Sequence, residues 1–591
     1  MTRTPLHELR DGPGLAAAWP SLPAVLNEMA ARGDLITAGA LLERVTPEEI
    51  LATGARPELV DVTITGHGTL AELNGPLIAE FARHGLLARI RPTDFNSHQR
   101  VLTQPAQADL TLCVLDPYMI YERLPKPWRA EDVERELAEA AQEWTALADN
   151  YDGTLVLNTI PLLPLLSRQL VDHRSRARLG IAWRRFNSAL LELAERPHVI
   201  TIDLDPLIAA GGPATEPRKA GYVRTYFEPH LLAAYAREVG HLAKALRGRA
   251  KKVLALDLDG TMWDGVLAED GMDGVSMAGT SRGDAFARFQ QVVGQLAAQG
   301  VLLVISSKND HDEVLATLAG HPDMLVRPSD FTAIEATWDT KPAALVRMAG
   351  RIGLDLSGFV LVDDSATERR AVSALLPSVA VIPVDDEPAL HVDRLLADGW
   401  FDMLELTGDD TARAAHYHRE EQREAVRTKA ISDEDYLREL AVRVGTAPIR
   451  PHEVARVAQL TQRTNQFNLT TQRLQPADVP VGDPDRLVLT IRSADRFGDD
   501  GLVGAIFTRI ESGEMHIANM VLSCRVFGRR IEHTAMAALL IEAKTRGVTV
   551  VHGYYQPTER NRRFEDFYPA AGFVVSASPD SGPARYSREL G

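Results

Sequence analysis

Two carboxylates lie two residues apart at the end of an apolar run, in Val253-Leu254-Ala255-Leu256-Asp257-Leu258-Asp259-Gly260-Thr261. Acids spaced in this way suit a division of labour in which one attacks phosphorus while the other protonates the leaving oxygen and later activates water. Three further features follow in order. Ser307, in Ser306-Ser307-Lys308-Asn309, offers a hydroxyl to a phosphoryl oxygen. Lys341 can offset the charge crowding around a phosphate, and Asp363-Asp364 adds the carboxylate that completes a hard-cation site. Mg²⁺ prefers oxygen ligands and keeps several waters, so few protein carboxylates suffice. Such an ion screens the repulsion between an anionic nucleophile and an anionic phosphate. The ordered set predicts Mg²⁺-dependent phosphoryl chemistry with Asp257 as nucleophile. The spacing leaves open whether Asp363 or Asp364 meets the metal.

All of these groups but Lys341 lie at the end of a strand-like run or just after it, at residues 253–258, 301–305 and 359–362. In open α/β sheets ligands gather beyond the carboxyl ends of the strands, so all of them would face one site. A further strand is expected at 379–383. Ahead of this block, β-rich runs at 59–64, 110–115 and 154–158 alternate with amphipathic stretches such as 134–148, predicting another open α/β sheet. The basic stretch 247–252 reads as a hinge, and a charged helical connector is expected over about 407–430. The last block mixes strands at 487–491 and 516–522 with a helix at 531–545. The expected division is 1–247, 248–390, a connector at 391–430, and 431–591.

The 591 residues allow several separate cores, and a net charge of −17 argues against broad nucleic-acid binding, which needs a basic face. With only Cys113 and Cys524, a disulfide framework is excluded and a reducing cytosol is expected. Residues 1–8 lack the apolar core of a signal peptide, and no apolar run approaches the ~18 residues that span a bilayer. A cytoplasmic protein with neither nucleic-acid nor membrane partners is therefore expected.

Residues 520–532 read as strand, tight loop and helix. Free amides at a helix N-terminus bind phosphates, and Arg525, Arg529 and Arg530 around Gly528 would strengthen such a site. Cys524 beside the loop reads either as a transient acyl carrier, its thiolate favoured by the arginines, or as a small buried thiol at a strand end. Cys113 reads as core.

The motif set resembles the haloacid dehalogenase superfamily. The resemblance implies Asp257 as nucleophile, Asp259 as acid/base, and Ser307 and Lys341 as phosphate binders, with Gly260, Thr261, Ser306 and Asn309 beside the phosphate. It implies a metal set drawn from Asp257, Asp259, Asp363 and Asp364. The stretches 258–306 and 308–340 are too short for a cap domain, so an uncapped site is expected, suited to a bulky substrate.

The runs Trp263-Asp264-Gly265-Val266-Leu267-Ala268-Glu269-Asp270-Gly271, Asp363-Asp364-Ser365-Ala366-Thr367-Glu368-Arg369 and Thr464-Asn465-Gln466-Phe467-Asn468-Leu469-Thr470 narrow the likeness to the FkbH-like subclass (subfamily IIIC). Such proteins take a glyceryl group from D-1,3-bisphosphoglycerate, remove its phosphates and load it on the phosphopantetheine thiol of an acyl carrier protein for polyketide pathways. Ser306 stands where the family often has a cysteine, so the same thioester cannot form there. Gly260 and Asp264 replace an expected Asn and Gly.

The last block is similar to the GNAT acyltransferase fold, whose loop holds the pyrophosphate of coenzyme A. Arg530 occupies a place usually given to a small residue, which favours a carrier-protein pantetheine arm over acetyl-CoA. The first block, with Thr65-Gly66-His67-Gly68-Thr69-Leu70, is similar to degenerate SGNH-hydrolase-like domains. It lacks a Gly-Asp-Ser nucleophile turn, and His230 is expected in a surface or packing role. The expected fold class is a multidomain α/β protein. Its Rossmann-like core lacks a large cap and is flanked by an SGNH-like α/β domain and a GNAT-like α+β domain.

Overall fold

Apolar runs too short for helices, closed by turn residues, become three separate sheets. The computed structural model describes residues 14–31, 33–411, 417, 419, 422, 423, 426–428, 430–577 and 583–590. The expectation for residues 1–8 lies outside these, as does part of the expected helical connector; its described part includes short helices at His391–Leu396 and Gly408–Thr411. The chain divides into two compact units, Met1–Lys244 and Ala245–Gly591.

In the first unit, β1 (Glu58–Gly66), β2 (Leu86–Pro92), β3 (Leu110–Val114), β4 (Leu155–Asn158) and β5 (Val199–Ile202) form a sheet ordered β2-β1-β3-β4-β5. All its pairings are parallel. Helices cover it because parallel strands need crossovers. Cys113 is buried in β3, as expected.

In the second unit, β6 (Val253–Leu256), β7 (Leu302–Ser307), β8 (Phe331–Ala336), β9 (Phe359–Asp363) and β10 (Ala380–Pro383) form a second parallel sheet, ordered β10-β9-β6-β7-β8. Strands β6, β7 and β9 are buried along their whole length, which is why they read as continuous apolar runs. Edge strand β8, with Thr332 and Glu335 breaking its apolar character, was not expected from the sequence.

The third sheet is mixed, ordered β11-β12-β13-β14-β15-β17-β16. Its strands are β11 (Arg443–Pro448), β12 (Val488–Asp495), β13 (Gly498–Glu511), β14 (Glu514–Leu522), β15 (Val550–Tyr555), β16 (Val574–Ala577) and β17 (Ala584–Glu589). The helix Ile531–Thr545 packs its buried side into this core. Strands β14 and β15 are parallel neighbours over 514–517 and 550–553, and then they part. Residues 467–469 fill the fork. Leu522 N donates to Phe467 O (3.0 Å), Leu469 N to Met520 O (3.2 Å), and Gln556 N to Leu469 O (2.8 Å). Three buried asparagines lock this insert. Asn519 Nδ2 donates to Asn468 Oδ1 at 2.9 Å, and Asn561 Nδ2 to Asn468 O at 3.3 Å.

Candidate active site

Strand β6 sits centrally between β7 and β9, so the groups beyond its end and theirs converge. It stops at Leu256, and Asp257 follows on the first free residue, held in line by its amide donating to Val362 O at 3.0 Å. β9 delivers Asp363 and Asp364, and β7 delivers Ser306 and Ser307. Lys341 begins the helix Lys341–Ile352, whose start sends its side chain toward the same point.

Ligand oxygens of Asp257, Asp363 and Asp364 all lie within 4.8 Å of one another. Lys341 Nζ is 2.8 Å from Asp257 Oδ2 and donates a short hydrogen bond to Asp363. Three carboxylates thus share one ammonium in a site where Asp257, Lys341 and Asp363 are all buried. Burial pushes the Asp257 carboxyl up to about 6; neighbouring Asp363 adds to this, and Lys341 opposes it. Asp363 and Asp364 are likewise raised, chiefly by burial. Burial works against the charge on Lys341, but Asp257 and Asp363 outweigh it and hold its pKa above the usual lysine value.

The two adjacent aspartates are not equivalent. Asp363 Oδ1 accepts from Ser365 N at 2.8 Å and its other oxygen takes Lys341, so both are engaged. Among the described residues no hydrogen bond from another residue reaches the Asp364 carboxylate. Asp364 is therefore the better-placed donor to a cation. Gly260 makes room for it: its φ is +65°, and a Cβ there would lie 2.6 Å from Asp364 Oδ2. Here the departure from the expected Asn has a steric reason.

Asp259 differs from the sequence-based reading as a metal ligand. Its Oδ1 accepts from Trp263 Nε1 (2.8 Å) and Leu267 N (3.0 Å), and its Oδ2 from Asn309 Nδ2 (2.8 Å). It lies outside the carboxylate cluster because side chains two residues apart need not converge once the chain has left the strand. Asn309 Nδ2 also reaches Ser307 Oγ at 3.1 Å, tying both residues to Asp259.

The remaining polar groups are notable for what they lack. Thr261 Oγ1, Ser306 Oγ and Asn309 Oδ1 are buried without a hydrogen-bond partner. Their hydrogen-bonding capacity is thus left for a ligand that binds at the carboxylates. An all-oxygen donor set with surplus negative charge fits a hard divalent cation such as Mg²⁺.

The C-terminal loop is arranged differently. Arg525 donates to the carbonyls of Asp500 (2.7 Å) and Leu502 (3.3 Å). Arg529 pairs with Asp500 at 2.6 Å and, with Arg423 and Asp495, forms a buried ion network. Two of the arginines expected to hold phosphate thus hold the fold together. Arg530 is exposed at the start of the helix, with φ +54°, beside Gly528 at φ +77°. Cys524 is exposed, which excludes the buried-thiol reading.

In the first unit, His67 follows β1 and Asp116 follows β3, with Nδ1 3.2 Å from Asp116 Oδ2. Beside this pair, a Cβ on Gly68 would lie 2.7 Å from the Tyr226 ring. His230 packs against Gly211 with its Nε2 buried and unpartnered. The His67–Asp116 pair was missed in the sequence because its members lie on different strands with no intervening motif.

No known protein family matches the chain by sequence, and no curated protein does. Solved structures do. The N-terminal part of the protein BF1531 from Bacteroides fragilis, containing a phosphatase domain and complexed with Mg, superposes with a TM-score of 0.56 at 17% identity, covering 63% of this chain and 98% of that one. That likeness is one of fold. A putative acetyltransferase of the GNAT family from Desulfovibrio desulfuricans gives a TM-score of 0.22 at 13% identity, over 25% of this chain and 99% of that one. The GNAT domain of S. lividans PAT gives 0.20 at 14%, over 24% and 89%. No helix among the described residues is long and apolar enough to cross a membrane.

Proposed function

We propose that the protein is a Mg²⁺-dependent phosphoryl-handling enzyme of the cytoplasm with Asp257 as nucleophile. The observation that carries this reading is the excess of buried carboxylate over cation around Asp257, beside three unpartnered polar atoms. Asp257 and Asp364 would hold the ion, which when bound neutralises charge on the nucleophile and the phosphoryl oxygens. Asp257 attacks phosphorus in line and becomes an aspartyl phosphate. Lys341 holds negative charge against the transferred group, and Ser306, Ser307 and Thr261 offer hydroxyls to its oxygens. Asp259 gives its proton to the leaving oxygen and later takes one from water; Trp263, Leu267 and Asn309 hold it in one orientation.

The substrate we propose is a phosphorylated glyceryl or similar hydroxyacyl donor such as D-1,3-bisphosphoglycerate, with the phosphopantetheine thiol of an acyl carrier protein as acceptor: the thiol attacks the acyl-phosphate carbonyl and expels phosphate, while Asp257 takes the phosphoryl group of the phosphate ester, whose alcohol oxygen leaves with the proton from Asp259. The motif resemblance and the short stretches around the site, which leave it uncapped, support this. The filled fork between β14 and β15 and the engaged arginines favour a second reading, in which phosphate is released without acyl transfer. Incubation with 1,3-bisphosphoglycerate, Mg²⁺ and a holo carrier protein separates them by intact-mass spectrometry. A glyceryl increment on the carrier supports transfer, phosphate release alone supports hydrolysis, and neither overturns the phosphoryl reading.

A further inference from the structure

Away from the carboxylate site, the third sheet carries a second group of ligand-type side chains. Glu514 and His516 are two residues apart on β14, so they share one face. His516 is the register partner of His552 on the parallel strand β15, which brings the imidazoles together on that face. Their rings stack at 4.8 Å, and one ligand atom from each of Glu514, His516 and His552 lies within 4.8 Å of the others.

The hydrogen bonding of this group is contradictory without a cation. His552 Nε2 lies 2.9 Å from Glu514 Oε2, which requires a proton on that nitrogen. The same Nε2 lies 3.1 Å from an Arg585 guanidinium nitrogen, which requires a lone pair there. A single ring nitrogen cannot offer both. The His552 side chain is only 7% exposed and its Nδ1 is buried without a partner, so no rearrangement of the ring's protons satisfies every group. A metal ion taking both the Nε2 lone pair and the carboxylate removes the conflict at Nε2, with Arg585 turning aside and the ring proton resting on Nδ1. His516 Nδ1 is 3.0 Å from Tyr554 Oη, which fixes the ring and leaves its Nε2 for coordination, an arrangement common behind metal-bound histidines. Arg509, the register partner of His516, already pairs with Glu511 at 2.9 Å. The Glu514 side chain is 44% exposed, so an ion can enter from solvent.

We propose that Glu514, His516 and His552 bind a divalent transition-metal ion of the zinc class. Two imidazoles and one carboxylate suit such an ion far better than Mg²⁺, and water fills the open position. The ion clamps β14 to β15 just before the strands part around residues 467–469, so it closes the base of the fork.

The test uses the full chain, stripped with chelator and then given excess Mg²⁺ to occupy the carboxylate site. Co²⁺ is titrated and its visible spectrum followed, with Zn²⁺ displacement read by calorimetry. The parent should take up Co²⁺ despite the Mg²⁺, with a low-symmetry spectrum that Zn²⁺ abolishes. His516→Ala and Glu514→Gln, both at partly exposed positions, should weaken binding at least about tenfold with unchanged circular dichroism. Asp257→Asn should leave it intact. Arg585→Gln should tighten it by removing the competing cation. Absence of Co²⁺ uptake in the parent, uptake that His516→Ala does not weaken, or loss of uptake in Asp257→Asn overturns the proposal.

Discussion

Two buried clusters of charged side chains lie within the second compact unit, and they differ in their arithmetic. Around Arg423 and Arg529, two guanidinium groups face Asp495 and Asp500, all almost fully buried, with pairs at 2.6 to 3.1 Å. Around Lys341, one ammonium faces Asp257, Asp363 and Asp364, and neighbouring hydroxyls have no partners. The first cluster balances, two guanidinium groups against two carboxylates, so it braces the fold. The second is short of positive charge, so it is complete only when a cation and a ligand arrive. Residue type did not separate them, since arginines beside a loop and acids beside a strand both read as phosphate sites. Charge balance did.

The largest effect should come from the unbalanced cluster. Asp257→Asn should lower phosphate release by at least about 10⁴-fold, the scale on which loss of a reacting group is felt. Steady-state phosphate assays of the folded variant check this, and near-parental turnover would remove Asp257 from the chemistry. In the balanced cluster the matching change should act on folding instead. Arg423→Met strands two buried aspartates against one arginine and should destabilise the third sheet by about 3–5 kcal/mol in denaturant titrations.

A third prediction concerns pH. Asp257 has a folded pKa of about 6, above its unfolded value. Its contribution to stability in the metal-free protein is therefore full below the unfolded pKa and lost as pH rises through about 6. Mg²⁺ favours the ionised carboxylates, so the Mg²⁺-induced rise in Tm should be larger at pH 8 than at pH 5. An equal rise at both would mean that the acids do not share the ion. The balanced cluster should show no such metal dependence.

Smaller effects sharpen the same contrast. Gly260→Ala puts a methyl 2.6 Å from Asp364 Oδ2 on a residue at positive φ. It should weaken Mg²⁺ activation and cost about 1 kcal/mol of stability, measured by metal titration and melting. Cys524→Ser, at an exposed position outside both clusters, should leave phosphate release unchanged. Any loss of carrier loading in that variant would assign the thiol to transfer.

The parallel sheets were legible because their strands are buried on both faces and therefore spell unbroken apolar runs; 253–258, 301–305 and 359–362 each lie on or overlap an observed strand. The polar edge strand β8 gave no such signal. Histidines on separate strands, such as His516 and His552, meet only through sheet register, which no local spacing encodes.

The sequence by itself determined which residues end the central strands, because burial forces apolar runs and leaves the first polar residue at the strand tip. It therefore named Asp257 and the Asp363-Asp364 pair, whereas Lys341, at a helix start, was named from its place in the ordered set. Only the tertiary structure decided how each charge is met. It turned Asp259 toward Trp263 and Asn309, left Asp364 open beside Gly260, drew Arg529 into an internal ion network, and folded residues 467–469 into the fork. The physical reason is that hydrogen bonds and ion pairs between distant segments depend on distance and direction in space, and neither is written in the order of residues along the chain.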